Sequence, residues 1–372
     1  MNYKTTSLEN NQIDYLTACF GSVYSNILSE KKIRDMAKKW FEIRDVIKKD
    51  HNALIQGKRA KLYNKEVLNS INNGGIIASI HSAAYAYPLS ELCHMGFNMQ
   101  LLISNEIAKT HGAFFKKISN SFGSKLDILV AENIMSIKKV FKHLKKGGLT
   151  YIYMDGNTGV GGVQGGDRNK AEVKILGKTA KVRTGVFYLA QRAMVPVVSA
   201  LSYYNSSGMN CVEFFGPISP LNKTEKERIQ CTNKIYDYFN HFVEKYPEQW
   251  EVWFYPYRIW TGSPSPIVTI KMLKRKQKQI FKFIDKNQSK IYVKADPLKI
   301  GILKSSEVYI IFDSKTQRVL CVNPVSYKIL KESFNMISLK ELSKNYEKKI
   351  FIHEASKLVL SGLIQINTNI NN

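Results

Sequence analysis

The stretch GGIIASIHSAAYAYPLSEL, from Gly74 to Leu92, ends an apolar run on a single ionisable side chain, His81. An imidazole in that position can take a proton near neutral pH, provided a carboxylate fixes its tautomer and steadies the imidazolium. No such partner lies close by in sequence. The other histidines are weaker candidates. His143 and His241 fall within helical patterns, His51 and His111 in polar or terminal surroundings, and His94 on a helix beside Met95. No pair has metal-ligand spacing with a third ligand near, so no metal site is expected. The glycine-dense run DGNTGVGGVQGGDRNK, Asp155 to Lys170, invites a nucleotide reading but carries no lysine at phosphate-loop spacing. It reads as a loop over the sheet edge, and beside a candidate base it has the composition of a substrate lid. GKT at Gly177 to Thr179 lacks the upstream glycine and the strand-to-helix setting of a phosphate loop.

The elements that must hold His81 follow from periodicity. Ile13, Leu16, Phe20, Val23 and Ile27, then Ile33, Met36, Trp40, Ile43 and Ile47, recur at helical spacing and predict a helical N-terminal layer. The short apolar runs IIASI, MQLLIS, KLDILVA, LTYIYM and VPVVSAL then alternate with segments of helical length, such as NIMSIKKVFKHLKKGG with its glycine stop. This alternation predicts an α/β fold, a mainly parallel sheet flanked by helices, whose sites collect beyond the carboxyl ends of the strands. His81 ends one strand and Asp155 another.

The 372 residues exceed one ordinary core and suggest two domains. The sequence places a large α/β domain with its helical N-terminal layer at 1–262. GSPSP and the basic KMLKRKQKQIFKFIDKNQSK form a linker helix at 263–290, and a small α+β domain of winged-helix proportions fills 291–372. The net charge of +25 points either to a solvated lysine-rich surface or to an acidic partner: a carrier protein, an anionic membrane or nucleic acid. Nucleic acid is disfavoured, since no helix rich in Arg, Asn or Gln stands out as a base reader. Five cysteines, odd in number and widely spaced, read as reduced core thiols of a cytoplasmic protein. No signal peptide and no apolar run of spanning length is seen, so the expected location is cytoplasmic or peripheral at the inner face of the membrane.

Four blocks, in order, resemble the lysophospholipid acyltransferase superfamily and its lipid A lauroyl/myristoyl-type branch: IIASIHSAAY, MSIKKVFKHLKKGGLTYIYMDGNTG, VKILGKTAKVRTGVFYLAQRAMVPVVSAL and KYPEQWEVWFY. They cover roughly residues 10 to 262. The resemblance implies acyl transfer from an acyl-carrier-protein or coenzyme A thioester to a hydroxyl or amine, with no further cofactor. The chain departs from the family in one place. The usual motif sets Asp or Glu after His and four residues, and here that position is Ala86. Glu91 lies two to three helical turns beyond His81. Asp155 can pair with His81 across the top of the sheet if the two strands are neighbours, and it is the favoured partner. His81 is then the general base and Asp155 its orienting acid; Arg183 and Arg168 are candidates for an oxyanion or phosphate, and Ser82 and Tyr85 for the acceptor. Trp250, Trp253, Tyr255, Tyr257 and Trp260 read mostly as core or cap, with part of the stretch facing an acyl chain or a membrane interface.

The segment SSEVYIIFDSKTQRVLCVNPVSYKILKESFNMISLKELSKNYEKK, closing in KLVLSGLIQI, resembles PqqD-like domains. That implies a precursor or leader peptide as partner, added as a strand to a sheet edge, in a peptide natural-product pathway. Two alternatives stay open. One is a non-catalytic acyl- or lipid-binding adaptor that recruits a peptide, favoured by Ala86. The other is a peripheral membrane acyltransferase acting on a glycolipid or lysolipid, favoured by the charge.

Overall fold

A computed structural model of the chain describes residues 7–156, 169–220, 222–254, 259–260, 269–285, 291–296, 299–305, 308–313, 316 and 318–367. Two helices come first, α1 (Ser7–Tyr24) and α2 (Glu30–Ile55). The chain divides into two units, one of residues 39–261 and one of residues 1–38 with 262–372.

The unit of residues 39–261 follows the alternation read from sequence. It runs β1 (Lys61–Tyr63), β2 (Gly75–Ser79), α3 (Tyr87–His94), β3 (Met99–Ile103), α4 (Asn105–Ser121), β4 (Leu126–Val130), α5 (Ile134–Lys145) and β5 (Leu149–Tyr153). A hairpin of β6 (Lys170–Ile175) and β7 (Lys178–Arg183) follows, then α6 (Gly185–Ala193), β8 (Val197–Tyr204), β9 (Asn210–Ile218) and α7 (Glu225–Lys245). Seven strands form one sheet in the order β1-β9-β8-β2-β5-β3-β4. The five from β8 to β4 run parallel; β9 returns antiparallel along β8, and β1 runs parallel to β9.

A parallel sheet needs both faces covered, which is why its central strands read as unbroken apolar runs rather than alternating ones. Every residue of β2 is buried. Ile77, Leu101, Tyr151, Val198 and Phe214 are fully buried in one core that also takes in Leu89, Leu92 and Cys93 of α3. The helix starts use side-chain caps. Ser104 accepts from Ile107 N at 3.3 Å before α4, Asn133 from Met135 N at 2.9 Å before α5, and Thr224 from Glu227 N at 3.3 Å before α7. Gly74 and Gly147, both at positive φ, bring the entries to β2 and β5 together; a Cβ on Gly74 would lie 2.7 Å from the Gly147 backbone.

The other unit contains α1, α8 (Ile270–Asp285), β10 (Tyr292–Lys294), β11 (Ile300–Ser305), β12 (Val308–Asp313), β13 (Arg318–Val322), α9 (Pro324–Glu332), β14 (Ile337–Ser338), α10 (Leu339–Ser343), α11 (Lys348–Leu360) and β15 (Gln365–Asn367). It holds two antiparallel three-stranded sheets, β14-β10-β15 and β11-β12-β13. Its core joins Ile280 of α8, Ile311 of β12, Ile329 and Leu330 of α9, and Phe351 and Leu358 of α11.

Two boundaries differ from those read in the sequence. The first helix belongs to the unit of residues 1–38 with 262–372, and within it packs closely on β11. A Cβ on Gly301 would lie 2.9 Å from the Tyr15 carbonyl oxygen, and the Tyr15 and Phe312 rings stand 6.2 Å apart. The segment read as a linker helix is α8, which packs on α11 and buries Ile280 completely. Helical periodicity marks which face of a helix is apolar; it does not say which sheet that face covers.

Candidate active site

Register builds the site. The β2–β5 ladder pairs Ser79 with Tyr153, so two residues further along each strand His81 and Asp155 emerge side by side at the carboxyl edge. His81 Nδ1 lies 2.7 Å from Asp155 Oδ1, and the His81 backbone N–H donates to Asp155 Oδ2 at 2.9 Å. Trp250 Nε1–H donates to the same Oδ2 at 3.0 Å. Held by these donors and almost fully buried, Asp155 is an acceptor toward the ring. It therefore fixes the proton on Nδ1 and leaves Nε2 with the free lone pair.

The ring itself is clamped. Tyr153 stacks on it at 4.4 Å between centroids, and Tyr85 meets it edge-on at 5.0 Å. Burial opposes charging of His81, but the charge and hydrogen bond of Asp155, helped by Glu251, outweigh it, and the imidazole is more basic than an ordinary histidine. Beneath the ring the segment PEQWE of the fourth block closes the turn. Glu251 N–H donates to His81 O at 2.8 Å, and Ala83 N–H donates to Gln249 O at 2.8 Å. The Gln249 side chain in turn bonds both backbone groups of Tyr204 on β8, at 2.8 and 2.9 Å. Ala83 sits at φ 45°, a conformation that costs a non-glycine residue energy and is sustained by this clamp.

A cavity of about 670 Å³ opens from the His81 side. His81, Tyr85, Asp155, Arg183 and Glu251 are among its polar lining, with Ser104, Glu106 and His111. Leu102, Ile103, Ile107 and Phe115 from β3 and α4, with Ile152 and Val186, are among its apolar lining. Its size and mixed lining suit a small organic group with one apolar part.

The sequence-derived residues fare differently. His81, Asp155, Tyr85 and Arg183 converge on this cavity. Ser82 does not: it is fully buried, its hydroxyl donates to Ser202 O at 2.9 Å, and Ser202 returns the bond to Ser82 O at 2.8 Å. The alternation of side chains after a strand turns it away from the acceptor side. Arg168, the glycine-dense loop beyond Gly156, Tyr255 and Tyr257 lie outside the described residues. Glu91, rejected on distance, is buried and engaged elsewhere, with Arg59 Nε and Nη2 on one oxygen at 2.8 and 2.6 Å and Ala60 N–H on the other at 2.7 Å. Ala86 is fully buried in the apolar core at the start of α3. Trp250, Trp253 and Trp260 pack edge-on or tilted against one another at 5.6 to 6.0 Å; Trp250 Nε1–H donates to Asp155, and Trp253 Nε1–H donates to Pro247 O at 2.7 Å.

Three residues were missed. Tyr153 was read only as part of a strand, Glu251 only as part of a motif, and Arg44 not at all. Arg44 Nη1 pairs with Glu251 Oε2 at 3.2 Å, and its guanidinium lies 4.4 Å over the Trp40 ring. An acid immediately after the aromatic of PEQW was the one available signal. Among the described residues no group of His, Cys, Asp or Glu is arranged to hold a metal ion.

A mainly parallel α/β sheet thus carries a histidine–carboxylate pair at its carboxyl edge, with a cavity of mixed lining beside it. The profile of the bacterial lipid A biosynthesis acyltransferase family matches residues 9–257, and the chain belongs to that family. No curated protein matches it. A solved structure, the 1-acyl-sn-glycerophosphate (LPA) acyltransferase PlsC from Thermotoga maritima, is similar at 13% identity and a TM-score of 0.32, over 65% of this chain and 99% of that one. Among the described residues no helix is long and apolar enough to cross a membrane.

Proposed function

We propose that the chain transfers a fatty acyl group from a thioester of acyl carrier protein or coenzyme A to a hydroxyl or amine, with His81 as the general base. The observation that carries this reading is the 2.7 Å contact of His81 Nδ1 with Asp155, which leaves Nε2 as the proton acceptor. The acceptor O–H or N–H gives its proton to Nε2 as its lone pair attacks the thioester carbonyl carbon. The C=O electrons move onto oxygen, where Arg183, which lines the same cavity, supplies positive charge. Collapse of that oxyanion breaks the C–S bond, and the leaving thiolate takes the proton from the imidazolium. The acyl chain lies along the apolar wall of β3 and α4. The test is acyl transfer by the purified protein. His81→Ala should lose at least about a hundredfold in kcat, and an unchanged rate would remove His81 from the mechanism.

The acceptor, in this reading, is a peptide or is carried by one. β13 is an edge strand of the β11-β12-β13 sheet among the described residues, and a groove of about 210 Å³ is lined by Leu320, Val322, Asn323, Lys357 and Leu358 of β13 and α11 and the turn after β13. An extended segment can add to such an edge through its backbone while its side chains enter the groove. Mass spectrometry of a candidate peptide, with and without the enzyme and an acyl thioester, tests it: a mass gain of one fatty acyl group supports the reading, and no gain with any peptide confines the acceptor to lipids.

A further inference from the structure

The helix α8 (Ile270–Asp285) is far more basic than a solubilising surface requires. Its 16 residues hold six Lys or Arg and a single acid, Asp285. On a helical projection Lys271, Lys274, Arg275, Lys278 and Lys282 fall on one stripe, following i, i+3, i+4, i+7 and i+11. All five are exposed. The opposite face belongs to the protein, where Ile280 is fully buried and Gln277 Nε2 bonds His353 of α11 at 2.9 Å. The flanks are what set this helix apart. Ile270 (75% exposed) and Phe281 (44%) border the cations on one side, and Met272 (42%) borders them on the other. Lys348 of α11 lies 4.4 Å over the Phe281 ring and pairs with Asp285, the helix's one acid, at 3.2 Å.

We infer that this face of α8 docks on an anionic lipid surface. The five cations would sit among the headgroups while Ile270, Phe281 and Met272 dip toward the acyl boundary, and the lysine stems can lie flat to let them do so. A soluble polyanion accounts less well for the same surface. Nucleic acid or an acidic protein would be drawn by the charge but offers nothing to exposed Ile270 and Phe281, and only one of the five stripe cations is an arginine suited to bidentate pairing. The inference does not depend on acyl transfer, since it concerns a surface in the other unit and is read by binding.

The experiment is co-sedimentation of the full-length protein with vesicles of phosphatidylcholine alone and of phosphatidylcholine mixed equally with phosphatidylglycerol. Binding is expected to the mixed vesicles and not to the neutral ones, and to weaken as salt is raised. The variant Lys274→Glu/Arg275→Glu/Lys278→Glu should bind at least about tenfold more weakly. The variant Ile270→Ser/Phe281→Ser, with charge unchanged, should also bind more weakly. All of these positions are exposed, and circular dichroism checks that both variants remain folded. Equal binding to neutral vesicles, undiminished binding by the charge-reversed variant, or binding unaffected by the serine pair would each overturn the proposal. Failure to bind mixed vesicles while binding heparin would also overturn it and assign the face to a soluble polyanion.

Discussion

At the scale of single residues, the carboxylate that orients His81 has moved from a helix to a strand. Asp155 reaches the ring through the β2–β5 register, not through the local spacing in which Ala86 stands. This gives a pH signature. A base must be neutral to act, so the rate should rise as pH climbs through the raised His81 value, with the acid limb above the ordinary 6.5. Asp155→Asn removes the main charge that raises it. The limb should shift to lower pH and kcat should drop by about a hundredfold or more, as a pH–rate profile would measure. Glu251→Gln should move the limb in the same direction by less, with Arg44 left unpaired. A rate profile that shifts for neither variant would mean that another group titrates. Glu91 presents the opposite case, a conspicuous acid with a structural role. Arg59→Met leaves a fully buried carboxylate without its cation and should cost about 3 kcal/mol in urea unfolding, with activity per folded molecule unchanged.

At the scale of elements, the site is a turn that three segments hold. β2 delivers His81, β5 delivers Asp155, and the segment after α7 closes beneath both through Gln249, Trp250 and Glu251. The paired glycine entries matter because they set the heights at which β2 and β5 end. Gly74→Ala would place a Cβ 2.7 Å from the Gly147 backbone at φ 103°, and should destabilise by about 1–3 kcal/mol. Gly123→Ala, also at positive φ but facing open space, should cost less. Comparison of urea midpoints at equal slope tests the pair. Most of these elements were legible beforehand, because apolar runs of five residues between capped helices carry a strong local signal. The hairpin β6–β7 was not among the strands read from periodicity, and the assignment of α1 to β11 was not visible at all. Both depend on which surface a face meets.

At the scale of the whole molecule, the two histidines near the site pull stability in opposite directions with pH. Burial pushes His51 down to about 4, with Glu251 opposing the shift and Arg44 adding to it, so it stays neutral in the fold. Its stabilising contribution is complete above 6.5 and is lost as pH falls toward 4, because the unfolded chain takes up the proton first. His81 is shifted up, so its contribution is complete below 6.5 and is lost as pH rises through its folded value. His51→Phe should therefore flatten the loss of stability between pH 6.5 and 4, measured by denaturant midpoints at several pH values. A steeper loss would contradict the assignment.

The sequence alone settled what local chemistry can settle: the alternating strands and helices, the histidine at a strand end, the basic helix near residue 275 and the family of residues 9–257. These follow from periodicity, composition and contiguous motif, which act over a turn or a strand. The packing of α1, the turning away of Ser82, the Arg44–Glu251 pair and the two histidine environments were decided only by the tertiary structure. The His81–Asp155 contact stands between the two. The sequence named both residues, but only the parallel register of β2 and β5 could bring side chains 74 positions apart to 2.7 Å.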